Sequence, residues 1–175
     1  MHADIQQILL SESQIHDRIA QLGRDLMRDY GDKNPIFVGV LKGVVMFFGD
    51  FVKRFSEHCQ IDFMWISSYG SGTQSGKMVV KRDVSADLKG RHVVILEDIF
   101  DTGNSLDFTY KHLLAKEPAS LKICTLLDKP ERRAVKGVDV DYVGFNIPDE
   151  FVVGYGLDYD QRYRNLPYIG IVKFD

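Results

Sequence analysis

Apolar residues along the chain follow two alternating rhythms. Short runs at 36–40, 61–66, 93–96 and 121–127 carry little polar alternation, which is how strands read when both faces of a parallel sheet are covered. Between them lie segments whose apolar positions recur every three or four residues. The first, 11–30, sets Ile15, Ile19, Leu22, Leu26 and Tyr30 on one stripe behind a Ser11 and Gln14 capping box. Residues 44–55 repeat the rhythm, as does a segment from Leu106 through Phe108, Leu113 and Leu114 that ends near Pro118. Further strands are expected at 78–81 and 141–147, and 5–10 opens the chain with an apolar stretch. The pattern predicts an α/β fold, a mainly parallel sheet flanked by helices.

The chemistry concentrates in 92–106, HVVILEDIFDTGNSL. Val93 to Leu96 is a buried strand, so Glu97 and Asp98 fall at its carboxyl end, the edge where open α/β sheets bind ligands. After Asp101 come Thr102, Gly103, Asn104 and Ser105 and then a helix. A helix start offers unpaired N–H groups and the positive end of the dipole; Gly103 lets an anion approach, and Thr102 and Ser105 add hydroxyls. The three acids would repel that anion, so they should face ribose hydroxyls, Mg²⁺ or a proton to be removed. A sugar phosphate satisfies both demands. A second strand-to-helix junction, Leu41, Lys42 and Gly43, lies at the same sheet edge. Residues 67–78, with three glycines and four serines, read as a mobile loop. Trp65, Cys59 and Cys124 read as packing residues.

Composition narrows the classes. A length of 175 residues fits one domain. Twenty-two basic against twenty-five acidic residues, a formal charge of -3, give no general attraction for nucleic acid or anionic lipid. The opening MHADIQQILLSESQ has acids where a signal peptide has bases, so a cytosolic location is expected. Two cysteines make neither a disulfide framework nor a metal-ligand spacing.

The string from 92 to 106 resembles the phosphoribosyl pyrophosphate motif of the purine phosphoribosyltransferases. From about residue 36 onward the chain is similar, in order, to the hypoxanthine-guanine branch of that family. The resemblance implies the type I phosphoribosyltransferase fold, one domain over 1–175, with a core of about 11–145 and a hood from the N-terminal segment and about 146–175. It implies that Glu97, Asp98, Asp101, Thr102, Gly103, Asn104 and Ser105 bind the phosphoribosyl group, with Asp101 as the proton acceptor. Asn104 stands where some members have lysine. Pyrophosphate falls to Leu41, Lys42 and Gly43, with a non-proline cis peptide at the lysine, and to Ser68 and Tyr69 in a closing lid, Arg164, and Arg133 in support. The purine lies among Ile99, Lys129, Phe151, Val152 and Asp158, and Mg²⁺ near Glu97, Asp98 and Asp158. The implied reaction transfers phosphoribose from phosphoribosyl pyrophosphate to hypoxanthine or guanine in a dimer or tetramer. A xanthine-preferring enzyme and a non-catalytic regulator of the same fold are the alternatives.

Overall fold

A computed structural model describes residues 1–69, 77–135 and 137–173 of the chain. The expected lid falls mostly outside them, at 70–76. The elements run β1 (Ile5–Leu10), α1 (Glu12–Tyr30), β2 (Ile36–Leu41), α2 (Val45–Val52), β3 (Gln60–Tyr69), β4 (Lys77–Arg82), β5 (His92–Phe100), α3 (Asn104–Leu114), β6 (Ser120–Asp128), a short 3₁₀ turn (Pro130–Arg132), β7 (Tyr142–Asn146), β8 (Val152–Val153) and β9 (Ile169–Val172).

Six strands form the main sheet in the order β4-β3-β2-β5-β6-β7. All neighbours are parallel except β3 and β4. The unbroken apolar runs have their reason in the two faces of this sheet. Phe37, Val94, Leu96, Cys124 and Leu126 pack beneath α1 and α2 with Ile15, Ile19, Leu22, Leu26, Phe47 and Phe51. The alternate residues Ile36, Val38, Val93, Ile95 and Ile123 pack with Leu106 and Leu113 of α3 on the other side. Successive strand residues point to opposite faces, and here each face meets a helix. Helix α1 begins as its sequence requires, with the Ser11 hydroxyl accepting from the Gln14 amide and the Gln14 side chain accepting from the Ser11 amide.

Several expectations need correction. The apolar opening is an edge strand: β1 pairs antiparallel with β9, which also pairs with β8, so the two ends of the chain meet in a second, three-stranded sheet. That pairing joins residues 159 to 167 positions apart and leaves no local pattern. The expected helix at 44–55 shortens to α2, although Phe55 beyond it stays buried. The loop expected at 67–78 begins later and ends sooner, because β3 and β4 continue their antiparallel ladder to Tyr69 and Lys77. Backbone pairing there overrides the polar composition. Trp65 is 38% exposed, with the ammonium groups of Lys42 and Lys81 over its ring at 5.8 and 5.2 Å, so it is a surface platform. Cys124 is buried as expected and Cys59 is partly buried against the core.

Ile19 lies wholly buried between α1 and the sheet. Ile19→Ala should lower unfolding stability by about 2–5 kcal/mol, read from the urea midpoint at an unchanged slope; a loss below about 1 kcal/mol would mean that α1 does not cover the sheet as described.

Candidate active site

The cleft arises where two central strands part. The β2–β5 ladder ends at Gly39 and Leu96, while β5 continues beside β6 through Phe100 and Asp128. Beyond Leu96, β5 is thus paired on one side only, and a cleft of about 660 Å³ opens beside it. Leu41, Lys42 and Gly43 line one wall, Glu97 and Asp98 the floor, and Thr102, Asn104 and Ser105 the opposite wall, with Val40, Ile66, Ser67 and Met78 completing it. The acids therefore sit inside a longer strand, which runs on to Phe100, rather than at its carboxyl end. They border the cleft because their neighbour strand has left.

The wall at Thr102 to Ser105 has the form of an anion seat. Gly103 takes φ +91° as the N-cap of α3, a left-handed conformation costly for other residues. A Cβ there would press within 2.5 Å of the Phe100 ring. Among the described residues no side chain caps the helix start, so its first amides lack a side-chain acceptor there. Across the cleft the Leu41-Lys42 peptide is cis, as the family resemblance implies.

Glu97 and Asp98 are both buried, and Glu97 Oε2 has neither solvent nor a hydrogen-bond donor among the described residues. Removal from water raises both carboxyls above their ordinary range. The mutual charge adds to the rise of Glu97, while the Ile99 amide and the Arg164 charge hold Asp98 back in part. Asp98 is also packed against the neighbouring turn, where a side chain on Gly43 would overlap its Oδ2. Among the described residues no three acids, histidines or cysteines converge as a metal-binding group. The expected set of Glu97, Asp98 and Asp158 is thus a pair and a separate acid. Asp158 Oδ1 lies 2.8 Å from Arg164 Nη2, and Asp158 Oδ2 accepts from the Gln161 amide at 2.8 Å.

The residues expected at the purine lie on several segments, of which Lys129, just past β6, reaches the turn before Phe151. Lys129 is buried and its Nζ donates to the Glu150 carbonyl at 2.6 Å. Its amide donates to the Phe100 carbonyl, and the amides of Ala134 and Val135 donate to the Thr102 carbonyl. These bonds pin the 129–135 segment to the anion seat. Phe151 is exposed and meets Tyr159 edge-on, while Val152 is buried in the small sheet. Ile99 lines a smaller cavity of about 190 Å³ with Asp101 and Leu106. Lys129, Phe151, Val152, Asp158 and Arg164 do not line the larger cleft. Ser68 and Tyr69 are placed by backbone pairing with Met78 and Lys77. Arg133 does not reach the cleft: its guanidinium lies over Phe100 and pairs with the buried Asp128.

Two contacts were not visible in the sequence. Gln161 Oε1 stands 3.4 Å from both Lys42 Nζ and Arg164 Nη2, linking two cations 122 positions apart in the chain. Arg132 Nε lies 2.7 Å from Asp101 Oδ1, so a cation, not further acids, faces that carboxylate. The charge run at 128–133 contained the signal but not the choice between Arg132 and Arg133.

A family model described as the phosphoribosyl transferase domain matches residues 6–160. The hypoxanthine-guanine phosphoribosyltransferase of Streptococcus pneumoniae is 51% identical over 171 residues, covering 97% of this chain and 94% of that protein. The bifunctional protein TilS/HprT of Listeria innocua is 49% identical over 174 residues, and there the match spans only 27% of the relative's length. The crystal structure of a hypoxanthine phosphoribosyltransferase from Staphylococcus aureus superposes with a TM-score of 0.94 at 46% identity, covering 99% of this chain and 94% of that one. The chain belongs to the phosphoribosyltransferase family, in the group that contains the hypoxanthine-guanine phosphoribosyltransferases.

Proposed function

We propose that the protein transfers the phosphoribosyl group of phosphoribosyl pyrophosphate to a ring nitrogen of hypoxanthine or guanine, yielding IMP or GMP and pyrophosphate. One observation carries this reading: an uncapped helix start and a buried acid pair share one cleft, with a lysine-bearing turn opposite. An anion and a set of hydroxyls must meet there, as they do in a ribose phosphate. Relatives of the same group over nearly the whole chain support it.

In this reading the 5′-phosphate rests on the amides and hydroxyls of Thr102 to Ser105. Glu97 and Asp98 face the ribose hydroxyls and the metal. The buried oxygen of Glu97 that lacks a donor fits a hard cation, and Mg²⁺ needs only one or two carboxylates when substrate oxygens and water complete its shell. Glu97 and Asp98 would hold the Mg²⁺, and the ion would supply positive charge to offset the negative charge developing on the departing pyrophosphate. Asp158, already held by Arg164, is the weaker of the expected ligand sites. The Leu41-Lys42-Gly43 turn, Arg164, Ser68 and Tyr69 hold the pyrophosphate. Lys129 donates to the purine's exocyclic oxygen, Phe151 and Ile99 flank the ring, Val152 borders it through its backbone, and Asp101 takes the ring proton. The small sheet serves as the hood.

A cytosolic location and self-association as a dimer or tetramer complete the proposal. No helix among the described residues is long and apolar enough to cross a membrane. Exposed Val45, Met46, Ile61, Trp65 and Val79 give self-association an apolar surface.

Asp101→Asn should lower turnover by roughly two to four orders of magnitude while affinity for phosphoribosyl pyrophosphate changes little; unchanged turnover would remove Asp101 from the mechanism. A pyrophosphate-release assay over hypoxanthine, guanine, xanthine and adenine should show adenine rejected, because its amino group offers Lys129 no acceptor. Adenine turnover equal to that of hypoxanthine would contradict the role of Lys129, and no release with any base would leave a regulator. Stability gives a third test. The folded acid pair binds protons more readily than the unfolded chain, so in metal-free buffer the pair lowers stability increasingly as pH rises from about 4 through the raised value of Asp98, about 6. Glu97→Gln should therefore raise Tm by about 2–4 °C at pH 8 for each kcal/mol relieved, with little change at pH 4. A fall in Tm at pH 8 would contradict the burial argument.

A further inference from the structure

Asp101 is asymmetric. Its side chain as a whole is 40% exposed, yet Oδ1 is shut off from solvent and receives no aligned hydrogen bond among the described residues. The exposure therefore belongs largely to the Oδ2 side. Against the shut-off oxygen stands Arg132, its Nε at 2.7 Å but outside hydrogen-bond alignment, so the attraction is one of charge. The other arm of the same guanidinium, Nη1, reaches Asp149 Oδ1 at 3.4 Å. Asp149 precedes Glu150, whose carbonyl holds Lys129, and Phe151 follows. Arg132 thus ties the carboxylate beside the anion seat to the turn that carries the purine-flanking residues.

We propose that Arg132 is a positioning residue for phosphoribosyl transfer. It anchors Oδ1 of Asp101, leaves Oδ2 as the oxygen presented to the purine N–H, and keeps that oxygen in register with Lys129 and Phe151. The inference rests on the reading of Asp101 as proton acceptor and deepens it. Arg132 is 43% exposed at its side chain and Asp149 46%. Exposed ion pairs contribute little to folding, whereas an ångström of misplacement in a reacting group costs on the order of 100-fold in rate. The pair therefore matters for turnover far more than for stability.

The test is a double-mutant cycle on the full chain with hypoxanthine and phosphoribosyl pyrophosphate. Arg132→Ala should lower kcat by roughly 10- to 100-fold, with KM for phosphoribosyl pyrophosphate within about twofold and Tm unchanged. Arg132→Lys, which keeps a cation, should recover most of the loss. In an Asp101→Asn background, Arg132→Ala should change kcat by less than about twofold, because there is no carboxylate left to position. Wild-type or higher kcat in Arg132→Ala, an effect confined to KM, failure of lysine to rescue, or an equal loss in both backgrounds would each overturn the proposal. A crippled Asp101→Asn beside a fully active Arg132→Ala would sink the positioning role alone. A fully active Asp101→Asn would instead sink the base assignment beneath it.

Discussion

Three backbone segments meet at the cleft with no room for a side chain between them. A Cβ on Gly43 would overlap the Asp98 carboxylate, and a Cβ on Gly156, at φ +100°, would overlap the Gly43 carbonyl. The turn after β2, the acids of β5 and the loop after β8 are thereby held in contact. The turn after β2 is consequently fixed relative to the acids by close packing rather than by long side chains. Close-packed contacts of this kind transmit position with little give.

The same packing explains the charge arrangement. Two neighbouring carboxylates removed from water are costly, and the structure keeps them where the β2–β5 ladder has ended and a cleft takes over. Desolvation raises both acids and leaves one oxygen of Glu97 without a donor. Cations border the acids: Lys42 lines the cleft and meets Arg164 through Gln161, and Arg132 faces Asp101.

Hydrogen bonding joins the segment after β6 to the turn before α3. The carbonyls of Phe100 and Thr102 accept from Lys129, Ala134 and Val135, so the turn before α3 and the 129–135 segment form one backbone unit. The small sheet made from both chain ends carries Val152 and buries Ile5, Val153 and Val172 in its own cluster.

What was legible in the sequence was what local pattern controls. The apolar runs of β2, β5 and β6 carry no polar alternation because helices cover both faces, and that cause is written in the residues themselves. The capping box of α1 and the glycine before α3 are equally local. The reach of β5 through Glu97 to Phe100 was not legible, since pairing with β6, not composition, prolongs it. Nor was the ladder of β3 and β4 through a serine-rich stretch; a hood drawing on both chain ends was implied by the family resemblance, while the pairing of Ile5–Leu10 with Ile169–Val172 left no local pattern. The residue types for an anion, hydroxyls and a proton stood in order along the chain. Which arginine faces Asp101, and that Asp158 is claimed by Arg164, were decided only when segments far apart in sequence packed together. Side-chain pairing depends on distances in space, and those are set by the whole fold at once.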